Sequence, residues 1–184
     1  MKARINFEEE LLKRGVPAEY ARYYSDCIEE RKFYIRRPSG SKEWQLEVIL
    51  CIDTEPSGIK RVCLEKSENV EEMFEALERW LCGIFGAFDL PHRFNSEIVY
   101  SWLLNEDEKK RFFMNVNLDD AMIVEAGIHY LVLYKSKGLA NSVTEDEECF
   151  DFYGMYFWSS SARKEMLHIR EQIKLWKQEV AQHA

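Results

Sequence analysis

No apolar run in this chain approaches the length, about 18 residues, that a membrane-spanning helix needs. The charged start Met1-Lys2-Ala3-Arg4 is not followed by the apolar core of a signal peptide, and a cytoplasmic protein is expected. Positive charge is short as well: 25 Lys and Arg stand against 33 Asp and Glu, a net charge of −8. Nucleic-acid binding draws most of its affinity from Lys and Arg contacts to phosphates, so direct binding of nucleic acid is not expected. The acidity either suits a partner that is itself basic or simply keeps the chain soluble.

Signatures of catalysis and of metals are missing too. The histidines His92, His129, His168 and His183 stand in no HxH, HExxH or CxxC context, so zinc has no support from spacing. There is no GxSxG, dinucleotide fingerprint or kinase set. Pro38-Ser39-Gly40-Ser41-Lys42 lacks the spacing of a phosphate loop and precedes a strand, not a helix. The run Glu145-Asp146-Glu147-Glu148 lacks the alternating ligands of a calcium loop. No metal and no cofactor are expected, and the reading leans away from an enzyme; a site assembled from scattered residues would leave no such trace. Cysteines 27, 51, 63, 82 and 149 are odd in number and widely spaced, which points to buried reduced thiols, not disulfides.

What is present argues for a packed core. A content of 46% hydrophobic and 14% aromatic residues is incompatible with disorder, and 184 residues suffice for one domain. We expect residues 1–31 to form a helical segment and 32–184 an α+β core, organised around Trp44 to Phe88. Trp44, Leu46, Val48, Leu50 and Ile52 alternate with Gln45, Glu47, Ile49, Cys51 and Asp53, the period of a strand with one apolar face. Ile49 and Cys51 make the second face partly apolar, so this strand is expected to be central. Thr54 to Gly58 reads as a turn, and Ile59 to Lys66 as the returning strand. Asn69 and Glu72 resemble a capping box before a helix that buries Val70, Met73, Phe74, Leu77, Trp80, Leu81, Ile84, Phe85 and Phe88.

Upstream, Asn6 caps a short helix, Gly15 stops it, and Pro17 opens a second helix running to about Arg31. Lys32 to Arg37 is a short strand whose basic neighbourhood allows two readings: charges that protect a sheet edge, or an anion-binding patch of Arg31, Lys32, Arg36, Arg37 and Lys42. Downstream, Ser96 can cap a helix carrying Ile98, Val99, Trp102 and Leu103, and Glu106 to Arg111 reads as a helix with acids first and bases one turn on. Asp120 to Glu125 fits a helix end or a strand. Residues 128–135 and 149–158 read as paired strands in which opposite residues sum to about 285. That register places His129 opposite Tyr156 and Cys149 opposite Ser136, about seven residues apart at roughly 3.4 Å each, so the two cannot act as a nucleophile pair. In the last helix, 162–182, Met166, Ile169, Ile173, Trp176 and Val180 are spaced three, four, three, four. This seam either docks on the chain's own sheet or joins a homodimer.

The expected architecture is α+β: a mostly antiparallel sheet of four or five strands (32–37, 43–53, 58–66, 128–136, 149–158) packed by helices at 69–87 and 162–182. The expected function is a non-catalytic acidic module that binds a basic protein partner through Glu145, Asp146, Glu147 and Glu148 and the outer face Glu71, Glu72, Glu75 and Glu78. Small acidic chains poor in motifs are common among inhibitors, immunity proteins and anti-defence proteins that act on nucleic-acid-handling partners; the analogy is one of composition. The alternatives are a small enzyme or ligand-binding domain with a pocket between sheet and helix 69–87, using His92, His129 and nearby tyrosines, or an assembly subunit joined by its last helix.

Overall fold

The computed structural model of the chain describes residues 5–26, 32–51, 56, 58–88, 98–101, 105–136 and 148–184. Its centre is an antiparallel sheet of β1 (Lys32–Arg37), β2 (Trp44–Cys51), β3 (Ile59–Ser67), β4 (Ile98–Ser101), β5 (Ala121–Ala126), β6 (His129–Ser136) and β7 (Glu148–Tyr156). The order is β3-β2-β1-β7-β6-β5, with β4 pairing β7 off this path. β6 lines one edge of β7, so β1 and β4 share the other: β1 lies beside residues 148–151 and β4 beside 154–156.

The α+β class and the antiparallel sheet agree with the sequence reading, and β2 is interior as expected. The five expected strands are all present, and two more join them. Ile98 to Ser101 is β4 and not a helix, and the ambiguous stretch resolves into a 3₁₀ turn at Leu118–Asp120 followed by β5. β1 is not an edge strand, because it pairs with β2 on one side and β7 on the other.

The two faces of the sheet carry separate cores. Helix α3 (Val70–Phe88) lies on one, where Phe33, Leu46, Val48, Leu50, Val62 and Leu131 are buried with Phe74, Leu77 and Trp80. Helices α4 (Glu106–Asn115) and α5 (Ser159–Gln182) cover the other, enclosing Val132, Tyr134 and Tyr153 with Phe113, Ile169 and Ile173. Alternation along β6 divides Leu131 and Leu133 from Val132 and Tyr134. In β7, Phe152 and Met155 share one face, and Tyr153 and Tyr156 the other, spacings of three that a strict period of two forbids. A bulge supplies the extra residue: the register shifts between Val132 and Leu133. The predicted sum of 285 therefore holds from Ser136–Cys149 to Leu133–Phe152, then becomes 286, so that Tyr130 and not His129 faces Tyr156.

Helix ends follow the local chemistry. Asn6 accepts from the Glu9 amide to cap α1 (Phe7–Lys13), and Gly15, at φ +79°, ends the turn that follows it. Helix α2 spans Ala18–Asp26, immediately after Pro17. At α3 the Asn69 side chain accepts from Glu71 N, and Glu72 is held by the Ser67 hydroxyl at 2.6 Å, so no reciprocal capping box forms there. The box is at α4, between Asn105 and Glu108. Helix α5 begins at Ser159, ahead of the expected start at 162, and has no side-chain cap. The open edge of β3 is covered by Arg14, which donates to the carbonyls of Cys63 (3.2 Å) and Leu64 (2.8 Å). Among the described residues no helix is long and apolar enough to cross a membrane.

Candidate functional site

Glu78 and Cys82 are four residues apart on α3, which puts them in one row with Phe74. That row faces the start of β6. Ala126 pairs with His129, so Gly127 and Ile128 form a two-residue hairpin turn, and Gly127 takes the positive φ (+59°) such turns require. The turn brings the His129 ring against α3. His129 Nδ1 lies 2.8 Å from Glu78 Oε1, Cys82 Sγ lies 3.4 Å from the same oxygen, and Sγ and Nδ1 are 3.7 Å apart. Glu78 and His129 are buried, Cys82 half-buried.

Two supports hold this arrangement. The Phe157 ring packs 5.0 Å from the His129 ring. Gly127 backs the carboxylate so closely that a Cβ there would sit 2.6 Å from Glu78 Oε2. Glu78 Oε1 accepts from the Cys82 thiol, and the Nδ1–H tautomer of His129 gives the same oxygen a second donor. A nucleophile relay would use one ring nitrogen for the thiol and the other for the carboxylate. Here Nδ1 is the nitrogen close to both, so the geometry is three donors converging on one point.

A second buried polar group lies on the opposite face. Burial raises the phenols of Tyr134, Tyr153 and Tyr156 above the ordinary tyrosine value, and the Glu165 charge adds to the effect. The Tyr153 hydroxyl donates to Glu165 Oε1 at 3.0 Å.

The residues singled out from sequence fare unequally. Glu71, Glu72 and Glu75 are exposed on the outer face of α3, whereas Glu78 is not on that face; it is turned inward onto His129. Glu145, Asp146 and Glu147 lie outside the described residues, as do His92 and Arg31; the Lys32 side chain is likewise not described. Glu148 belongs to β7 and pairs with Arg37 at 3.2 Å. Two cations of the anion patch are engaged internally: Arg36 grips Glu47 through two bonds of 2.8 and 3.2 Å, and Arg37 has Glu148 and the face of Trp44. Only Lys42 of the described side chains in that patch is an exposed cation without an ion pair. The supposed dimer seam is also occupied, because Ile169, Ile173 and Trp176 are buried in the chain's own core with Met166 packed beside them, while Val180 stays exposed. Cys63, Cys82 and Cys149 are in no disulfide, and Cys63 is exposed where a buried thiol was expected.

Sequence reasoning missed the Glu78–Cys82–His129 group because His129 stands 51 and 47 positions from its partners. The readable signal was the four-residue spacing of an acid and a thiol in a helix row that starts at a core phenylalanine. The chain matches no protein-family model, curated protein or solved structure with which it was compared.

Proposed function

We propose that this chain is a non-catalytic binding module that docks on a basic protein partner through the outer face of α3. The observation that carries this reading is the unpaired negative charge on that face. Arg14, Arg36, Arg37 and Arg79 are each paired with a carboxylate of the chain, whereas Glu71 and Glu75 stand exposed with no ion pair among the described residues. Uncompensated negative charge on one face favours encounter with a basic surface and disfavours acidic competitors. A blocker of a nucleic-acid-handling protein, with carboxylates in place of phosphates, is the partner class that fits.

The test is capture from a lysate of the source cells at low and moderate salt, with Glu71→Lys/Glu75→Lys and a charge-reversed Glu145–Glu148 run beside the native chain. The reading requires a partner lost at moderate salt and lost by the reversed variants. A partner retained by both variants at unchanged salt dependence refutes it. A second reading, a ligand-binding domain with its site between the sheet and α3, is favoured by the Glu78–Cys82–His129 convergence.

A further inference from the structure

We propose that Glu78, Cys82 and His129 form a binding site for a zinc-class divalent cation. This concerns the inner face of α3, so it stands or falls separately from the acidic outer face. The argument begins with donor chemistry. A thiolate, an imidazole nitrogen and a carboxylate oxygen are the ligands zinc takes, and a thiolate disfavours the hard cations calcium and magnesium.

Geometry follows. Ligands 2.0–2.3 Å from a tetrahedral centre lie about 3.3–3.6 Å from one another. The three edges here are 2.8, 3.4 and 3.7 Å. Two edges match within a few tenths of an ångström. The short one is the Nδ1–Oε1 edge, which has the length of a hydrogen bond and has to open by about 0.5 Å for a cation to bind both atoms. The Glu78 carboxylate takes the space that a Cβ at residue 127 would need, so the glycine there leaves room for the ligand. Three protein ligands leave a fourth position for water or a donor from a bound molecule, the open-site pattern.

A built site also explains the sequence cost. A buried Glu–His pair is seldom more stable than apolar side chains of the same volume, so its retention calls for a use. The half-buried thiol gives a cation a route in from the Cys82 side.

The experiment uses the full chain, reduced and freed of metal, with zinc or cobalt(II) as the only probe. Native protein should bind one equivalent of zinc, and the cobalt form should show thiolate-to-metal charge transfer with the strong visible bands of a tetrahedral site. Cys82→Ser should abolish the charge-transfer band and weaken zinc binding by more than about 100-fold, beyond the loss that an outer partner causes. Cys63→Ser should change neither. Should Cys82→Ser fail to fold, zinc protection of Cys82 against alkylation in the native chain, mapped by mass spectrometry, replaces it. The proposal is overturned if the native chain binds no equivalent of zinc, if the charge-transfer band survives in Cys82→Ser, or if zinc leaves Cys82 as reactive as before.

Discussion

The phenols of Tyr134, Tyr153 and Tyr156 make the alkaline limit of stability predictable. All three are buried, and burial near Glu165 raises each above its unfolded value near 10. A group whose folded value is raised contributes stability that is complete below the unfolded value and lost as pH climbs past it, because only the unfolded chain then gives up the proton. Each tyrosine should therefore cost about 1.4 kcal/mol per pH unit above pH 10, and the three together about 4. Lysines titrate in the same range, so the informative quantity is the difference between native and variant. Tyr153→Phe and Tyr156→Phe should each lower the slope by about 1.4 kcal/mol per unit. At pH 7 the two should diverge. Tyr153→Phe loses the 3.0 Å bond to Glu165 and should cost about 0.5–1.5 kcal/mol, since the half-buried carboxylate keeps access to water. The Tyr156 hydroxyl is buried with no hydrogen-bond partner among the described residues, so Tyr156→Phe should be neutral or slightly stabilising. Urea midpoints between pH 7 and 11 provide the assay, with phenolate absorbance read in parallel on the folded chain. If all nine tyrosines titrate near pH 10 while the fold persists, the argument fails.

Arg36→Met leaves Glu47 buried without its partner and should cost about 3–5 kcal/mol by urea unfolding, while Arg36→Met/Glu47→Leu should recover most of it. A loss under about 1 kcal/mol would mean the pair behaves as a surface contact. Ile173→Ala should destabilise by about 2–5 kcal/mol with no change in molecular mass in sedimentation, because its side chain fills the chain's own core; a change of mass without loss of stability would restore the dimer seam. Gly127→Ala and Gly58→Ala both place a side chain at positive φ, but only position 127 meets a neighbour, the Glu78 carboxylate. Thermal melts should show both destabilised and Gly127→Ala the more so; equal losses would deny the close approach.

What the sequence disclosed was local or strongly periodic. The β2–β3 hairpin, α3, α5 and the β6–β7 register up to Leu133 all follow from alternation, turn residues and helical rows. The failures have tertiary causes. Ile98 to Ser101 fits a helical row as well as a strand, and only pairing with β7 decides it. The three-four spacing of α5 describes a helix on a sheet as well as a coiled coil, because both bury one stripe. The basic patch looked free because the carboxylate of Glu148 comes from a strand 111 positions away from Arg37. Glu78 looked like its neighbours Glu71 and Glu75, yet α3 is covered over more of its circumference than one stripe. Ala76, Leu77, Glu78, Trp80 and Leu81 are all buried.

Three seats of buried polarity among the described residues can be compared, and the comparison shows where a use beyond folding is needed. Arg36 and Glu47 satisfy each other through a two-point grip within the sheet, a job complete in itself. Tyr153 needs one acceptor and has it in Glu165. The third seat is different in kind. An apolar residue at 78, 82 or 129 would extend the core between α3 and β6, and nothing in the packing asks for a carboxylate, a thiol and an imidazole at one point. Their mutual bonds make the cluster tolerable, since a buried carboxylate accepting from two donors is far cheaper than one accepting from none. Tolerable is not the same as required. Of the three, this cluster is the one whose chemistry exceeds what the fold needs, and it also carries a glycine turn shaped around it.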